Sequence, residues 1–493
     1  MLFNSVTFGV FLGVVACAYH LCPLAGRRWL LLAVSCAFYA TWSVPFGGLL
    51  LTVSAVAFFL ANQIAATERD SVRRAWLTAA VVVLFMPLVA FKYWGATRPL
   101  FVDLLGERWA SHLVWVGVAA PVGISYYTLK LVSYVVDVYW GRIQPSRRVS
   151  SVALYAAFFP QILSGPIQRA GDFLGQINRI KPTDPALVAS GLRLILFGLF
   201  EKLVVADRLG VLVDQVYGSP HEHSAAALTL ATYAFAFQLF ADFSGLTDIA
   251  IGAGRVLGIS APPNFDAPFY AENIQEFWRR WHMTLTGWVR DYLFTPVRMA
   301  LRNWGQWGLA ASLMVNMVAV GIWHAPLLTF VVFGLIHGTY VFVSTSTLRR
   351  RERLMRGRPT LQALHRIAGP IITFHMVVAT LVLFRADSLP AAWYAFRESC
   401  AGLVPLLLSL GSSARMATLT AGLHVNWGRR DTAIACGAVL LMETVHLLQR
   451  RGSLSRVIIE TPGWARWAGY YALALAILMW APSDSHQFIY AEF

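Results

Sequence analysis

Two histidines, His324 and His337, stand in the segment GIWHAPLLTFVVFGLIHGTY (Gly321–Tyr340), whose other residues suit the inside of a membrane. A neutral imidazole in such a place can take a proton from a hydroxyl as a general base. The two lie thirteen residues apart, which is about 220° around a continuous helix. Pro326 also disfavours helix through Ala325. They share no face, so a two-histidine metal site at helical spacing is not supported, and no metal is expected. His324 follows Trp323 at the end of an apolar run, beside the break that Pro326 marks. Irregular backbone at membrane depth is tolerated where it is buried in protein or lines a cavity. His324 is therefore a candidate catalytic base, and Trp323 a candidate wall of its cavity. His337 lies between Gly334 and Gly338, where close helix packing is expected.

A third histidine lies in NIQEFWRRWHMTLTGWVRDYLF (Asn273–Phe294). Phe277, Trp281, Leu285, Trp288 and Tyr292 recur at steps of three and four, which predicts one amphipathic helix with an apolar face. Arg279, His282, Thr286 and Arg290 follow the same spacing on a neighbouring polar stripe. Such a helix suits the membrane interface as an anchor. Its stripe, with His282, could also line the entrance to a cavity. Acids appear in FQLFADFSGLTDIAIGAG (Phe237–Gly254), where Asp242 and Asp248 interrupt an apolar run. Intramembrane carboxylates are costly unless paired or facing water. Asp242 can line a tunnel, or it can hold helices together with Gln238, one turn earlier, as a hydrogen-bonding neighbour. His221 and His223, in GSPHEH, read as a solvated loop. No G-x-S-x-G elbow and no P-loop occurs in the chain, so neither a serine acyl-enzyme of the hydrolase kind nor ATP hydrolysis is indicated.

The elements that must hold these residues are hydrophobic helices. Of 493 residues, 57% are apolar and only 13% charged, against roughly a quarter charged in a soluble protein. Apolar runs recur at Trp29–Trp42, Gly47–Ala65, Ala75–Phe91, Ala225–Phe240, Leu309–Trp323, Leu327–Val343, Gly369–Phe384, Thr432–Leu448 and Trp467–Trp480. These are continuous and not alternating, which excludes a β-barrel reading. The expectation is an all-α polytopic membrane protein with about 11–13 transmembrane or re-entrant helices and an interfacial amphipathic helix. The formal charge of +15 gathers in short arginine-rich loops, among them Arg27-Arg28, Arg69–Arg74, Arg147-Arg148 and Arg349–Arg356. That is the positive-inside pattern, and it places those loops on the cytoplasmic side instead of pointing to nucleic acid. The five cysteines form no C-x-x-C pair and read as small packing residues. With no linker or repeat in view, residues 1–493 read as a single integral-membrane domain.

Eight stretches together carry a resemblance. They are MLFNS, PVGISYYTLKLVSYVVDVYWG, FFPQILSGPIQR, FADFSGLTDIAIGAGRVLGI, NFDAPFYAENIQEFWRRWHMTLTGWVRDYLFTPV, GIWHAPLLTFVVFGLIHG, LVLFRADS and FIYAEF. In this order they resemble the membrane-bound O-acyltransferase (MBOAT) family, in its bacterial alginate O-acetyltransferase branch. The chain departs from the family pattern at Ala325, where glycine usually follows the histidine. Leu389–Trp464 carries little of the resemblance, and residues 121–343 carry most of it.

The resemblance implies a ring of tilted helices around a central tunnel, with His324 near its narrowest point and His282 as the second prominent histidine. Arg279, Thr286, Arg290, Asp242 and Trp323 then become candidates for the tunnel wall. It implies transfer of an acyl group, with acetyl-CoA as the donor thioester from the cytoplasm and no cofactor held by the protein. The acceptor is then a hydroxyl of an extracytoplasmic polysaccharide such as alginate, reached through an exported partner of the SGNH type. The setting is the bacterial inner membrane. His324 can act as a base towards the acceptor or carry the acetyl group itself. Two alternatives stay open at this point: D-alanyl transfer to teichoic acid by a related MBOAT, and a transporter or flippase built on the intramembrane acids.

Overall fold

The computed structural model describes residues 1–94, 120–182, 184–410, 412 and 427–482. The closing motif FIYAEF lies outside the described residues, as does part of Leu389–Trp464. Helices dominate, and no strand occurs among the described residues. Those used below are, in chain order, α1 (Val6–Leu21), α2 (Leu24–Ala40), α3 (Val44–Ala66), α4 (Asp70–Lys92), α5 (Ile124–Tyr139), α6 (Val149–Ala157), α7 (Ala170–Asn178), α8 (Pro185–Phe200), α9 (Asp207–Gly218), α10 (Ala225–Val256), α11 (Ile274–Arg280), α12 (Met283–Val289), α13 (Gly305–His324), α14 (Leu328–Met355), α15 (Pro359–Arg385), α16 (Arg429–Arg450) and α17 (Gly463–Trp480); further helices span Thr295–Ala300, Leu389–Ala401, Leu403–Leu410 and Ser453–Glu460.

The chain is a multi-pass membrane protein. Seven of these helices among the described residues are long and apolar enough to cross a bilayer: α3, α4, α10, α13, α14, α15 and α16. Their lipid-side character is visible in exposed apolar side chains, such as Val82 and Met86 on α4 and Leu440 on α16. In a membrane these face hydrocarbon and need no protein cover. α10 is different. Some 83% of its apolar window is buried, against 17% for α4. It is a core helix, so its polar residues, among them Gln238, Asp242 and Thr247, are buried in protein and not exposed to lipid. All five cysteines are free thiols.

The residues fall in two compact units, Met1–Ile195 with Leu246–Pro263, and Leu196–Gly245 with Asn264–Phe493. In the first, Ser5 caps α1 by accepting from Phe8 N at 3.1 Å, and Phe3 and Phe8 pack with ring centroids 4.7 Å apart. Phe38 and Phe159 join them at 5.5 Å, so the first and third motifs meet in one aromatic cluster. Gly123 begins α5 at φ 72°, the left-handed region, and a Cβ there would strike the Ile162 carbonyl. Only glycine fits that turn of the second motif.

The second unit holds the helices that bear His324 and His337. α13 and α14 form a close antiparallel pair. A Cβ on Gly334 would lie 2.6 Å from the Met317 carbonyl oxygen, and one on Gly321 would strike the Phe330 carbonyl. Small residues let two membrane helices touch backbone to backbone, which brings the end of α13 against the start of α14.

Candidate active site

The segment expected as one amphipathic helix is two. α11 ends at Arg280, α12 begins at Met283, and His282 between them takes φ 44°, ψ 53°. A left-handed residue with a Cβ costs about 1–2 kcal/mol. Asn264 compensates for it: Met283 N donates to its backbone oxygen at 2.8 Å, and Thr284 N and Oγ1 donate to its Oδ1 at 3.3 and 2.6 Å. The break corrects the polar stripe. Arg279 and Arg290 point to the exterior, and Thr286 Oγ1 donates to the Trp281 carbonyl at 3.1 Å. Arg279 and Arg290 are thus apart from His282, which is buried, while Thr286 N–H donates to the His282 carbonyl at 2.9 Å. The apolar face survives, since Phe277, Trp281, Leu285 and Trp288 are all buried.

The same asparagine sets the chemistry of His282. Its Nδ1 lies 3.3 Å from Asn264 Oδ1. That oxygen already accepts a backbone N–H from Thr284, so it is a carbonyl oxygen and the imidazole must donate to it. The proton therefore sits on Nδ1, and Nε2 carries a lone pair. Nε2 is buried with no hydrogen-bond partner in the structure. His282 lies outside the seven spanning helices, and burial pushes its pKa down to about 3, so the imidazole is neutral at physiological pH. A neutral, oriented, buried ring with an available lone pair is what accepting a proton or a hydrogen bond from substrate requires.

His324 is the last residue of α13; Ala325 leaves the helix at φ −154°, ψ 150°. The break expected at Pro326 is present. The imidazole is buried among rings, with Trp323 at 4.9 Å, Phe384 at 4.9 Å and Phe330 at 6.1 Å between centroids. Trp323 also stands 5.6 Å from His282, edge to face. One indole thus contacts both imidazoles. Phe243 of α10 covers the other side of His282 at 4.6 Å. The structure brings His282, Trp323 and His324 together within an aromatic, low-dielectric shell.

His337 is of another kind. Trp278 Nε1–H donates to its Nδ1 at 3.2 Å, and its Nε2 stands 2.8 Å from Thr380 Oγ1. Because Nδ1 accepts, the proton is on Nε2 and is donated to the threonine, whose own hydroxyl donates to Val377 O at 2.7 Å. Both nitrogens are used in tying α11, α14 and α15. His337→Ala is expected to lower the melting temperature of the purified protein while the folded fraction keeps its activity. A variant of unchanged melting temperature and no activity would give His337 a chemical role instead.

Asp242 is a paired acid, as an intramembrane carboxylate requires. Lys202 Nζ lies 2.8 Å from Asp242 Oδ1 and 2.7 Å from Asp207 Oδ1, all three side chains buried. Lys202 is the ion-pair partner of Asp242. The chain runs as a π-helix over Glu201–Ala206, and Asp207 N–H bonds to Lys202 O. That i→i+5 geometry stacks residues five apart on one face. Removing the lysine would leave two buried carboxylates uncompensated, a loss of about 3–5 kcal/mol for a broken buried pair. Lys202 and Asp207 went unread in the sequence because helical spacing pairs positions three and four apart, not five.

A profile of the MBOAT, membrane-bound O-acyltransferase family matches residues 148–384. That stretch includes His282, Trp323 and His324. A probable alginate O-acetylase AlgI of Azotobacter vinelandii is 31% identical over 395 residues, covering 80% of this chain and 77% of that protein. A peptidoglycan O-acetyltransferase of Helicobacter pylori is 30% identical over 401 residues, covering 76% and 74%. A teichoic acid D-alanyltransferase of Bacillus subtilis is 27% identical over 312 residues, covering 62% and 76%.

Proposed function

Since the chain belongs to the membrane-bound O-acyltransferase family, in its alginate O-acetylase-like branch, we propose that it moves an acetyl group from a cytoplasmic thioester, acetyl-CoA, towards hydroxyls of an extracytoplasmic polysaccharide. An exported partner of the SGNH type completes delivery, and the inner membrane is the setting. The observation that carries this reading is the pairing of His282 and His324 around Trp323, with a lone pair fixed on His282 Nε2.

The chemistry follows from the residues. His324 takes the proton of the attacking hydroxyl as its oxygen bonds to the thioester carbonyl carbon. The tetrahedral intermediate collapses with cleavage of the C–S bond. The imidazolium returns its proton to the departing thiolate, so no proton is consumed overall. General-base help of this kind contributes about a hundred- to ten-thousandfold. His282 Nε2 accepts a hydrogen bond from the bound substrate and holds it for attack, while the aromatic shell excludes competing water. If the acetyl group rests on His324 in passing, the same two imidazoles serve both half-reactions.

The alginate and peptidoglycan relatives support an acetyl donor and a glycan acceptor. The D-alanyltransferase relatives support the second reading, D-alanyl transfer, at lower identity and with less of this chain aligned. Everted membrane vesicles separate them. With labelled acetyl-CoA outside, label is expected in ester linkage on polymer, and a D-alanyl thioester should give none. Label incorporated only from the D-alanyl thioester would reverse the assignment. Arg279 and Arg290, being exposed, belong in this scheme to the surface of the protein and not to the reacting centre.

A further inference from the structure

Phe384 stands in the last turn of α15 and is buried. Its ring meets three others in the second unit. His324 lies 4.9 Å away edge to face, Phe330 4.6 Å and Phe333 4.8 Å, between centroids. His324 therefore has two different flanks. One is Trp323, which it shares with His282. The other is Phe384 with Phe330, a hydrocarbon wall, since neither side chain carries a polar atom.

This wall is held from behind. Phe333 packs on His337 at 4.3 Å, and both nitrogens of His337 are engaged, one by Trp278 and one by Thr380. Thr380 lies one helical turn before Phe384 on α15, so the two point to one face of that helix. The bond between His337 and Thr380 thus fixes the turn of α15 that presents Phe384 to His324. Close-packed rings of this kind do not admit an extra methylene without displacing their neighbours.

The reaction proposed above gives the carbon under attack four substituents: the sulfur, the attacking oxygen, the former carbonyl oxygen and the acyl chain. Donor and acceptor come from opposite faces of the membrane, so the sulfur and the attacking oxygen take the two ends of the passage. The other two groups must point sideways. The oxyanion needs hydrogen-bond donors, and the chain does not, so the chain takes the flank without polar atoms. We propose that Phe384 sets the length of the acyl group, closing the wall behind an acetyl methyl so that longer chains find no room. The assignment rests on the acyl-transfer reading above and adds the side chain that confines the transfer to acetyl.

Two variants test it. Phe384→Ala opens a space about the size of the lost phenyl ring beside His324. Phe384→Leu opens less, keeps the wall apolar and guards against misfolding of the alanine variant. Everted membrane vesicles carrying the full-length protein receive equal mixtures of acetyl-CoA with butyryl-CoA or with hexanoyl-CoA, each acyl group separately labelled. The ratio of the two esters on polymer is read. Both thioesters compete for the same molecules, so the ratio does not depend on how much of a variant is folded. One methylene in an apolar pocket is worth about 10- to 200-fold in selection, so the parent should prefer acetyl to either longer chain by at least about a hundredfold. Phe384→Leu should admit butyryl and Phe384→Ala hexanoyl, each raising its ratio to acetyl at least about tenfold. Phe374→Ala removes another ring of α15, one that packs on Phe269 at 5.1 Å, and should keep the parent's ratios. A parent that takes hexanoyl as readily as acetyl overturns the assignment, as do Phe384 variants with the parent's ratios or a Phe374 variant that shifts them equally. Loss of all transfer in both Phe384 variants makes the ring a requirement of catalysis and not a measure of length, and overturns it too. Label entering only from a D-alanyl thioester overturns the acetyl reading together with this assignment, whereas unselective transfer from the coenzyme A thioesters overturns this assignment alone.

Discussion

His324→Ala is expected to abolish acetyl transfer, by at least about a hundredfold, with insertion and melting temperature close to the parent's. The ring ends α13 and packs among Trp323, Phe330 and Phe384. Truncation leaves a small cavity lined by rings and disturbs no helix interior, so folding should survive. His324→Gln is the sharper probe. It keeps polarity and approximate length but has no nitrogen that can take a proton, so it should be as inactive as alanine. Ester-linked acetate on the polymer, measured in cells and in vesicles, reads the outcome. Acetylation retained in the glutamine variant would remove His324 from proton transfer, and retained in both would remove it from the site.

The helices were legible where hydrophobicity alone decides them. Gly47–Ala65, Ala75–Phe91, Leu309–Trp323 and Gly369–Phe384 each lie inside one observed helix, because lipid penalises every unsatisfied backbone group along such a run. The break after His324 was legible too, since proline is a local signal. The break at His282 was not. It depends on Asn264, eighteen residues earlier, and periodicity has no access to a partner so distant. A sequence spaced for one amphipathic helix therefore folds as two. The Lys202 pairing escaped for a related reason, because a π-turn alters the register that spacing arguments assume. Leu389–Trp464 was nearly silent, yet α16 inserts Glu443 and His446 into the core, with His446 Nε2 3.0 Å from Glu201. Buried polar residues that answer to remote partners look, in a sequence, like isolated polar interruptions.

The second large effect should come from His282, and the choice of substitution matters because the backbone there is left-handed. Alanine would remove the ring and strain the turn together. Asparagine tolerates the αL region, so His282→Asn separates the imidazole from the backbone. It is expected to lower kcat/KM about a hundredfold or more with little change in melting temperature. Asn264→Asp tests the tautomer argument. In the parent, burial keeps the pKa near 3, so protonation of His282 should not limit activity anywhere between pH 5 and 8. A carboxylate facing Nδ1–H stabilises the imidazolium and raises that pKa. Protonation would convert Nε2 from acceptor to donor, so the acid limb of the pH–rate profile should move upward, with activity lost near neutrality and regained in alkali. An Asn264→Asp profile that overlies the parent's, in a protein that is still folded, would show that the Nε2 lone pair is not used.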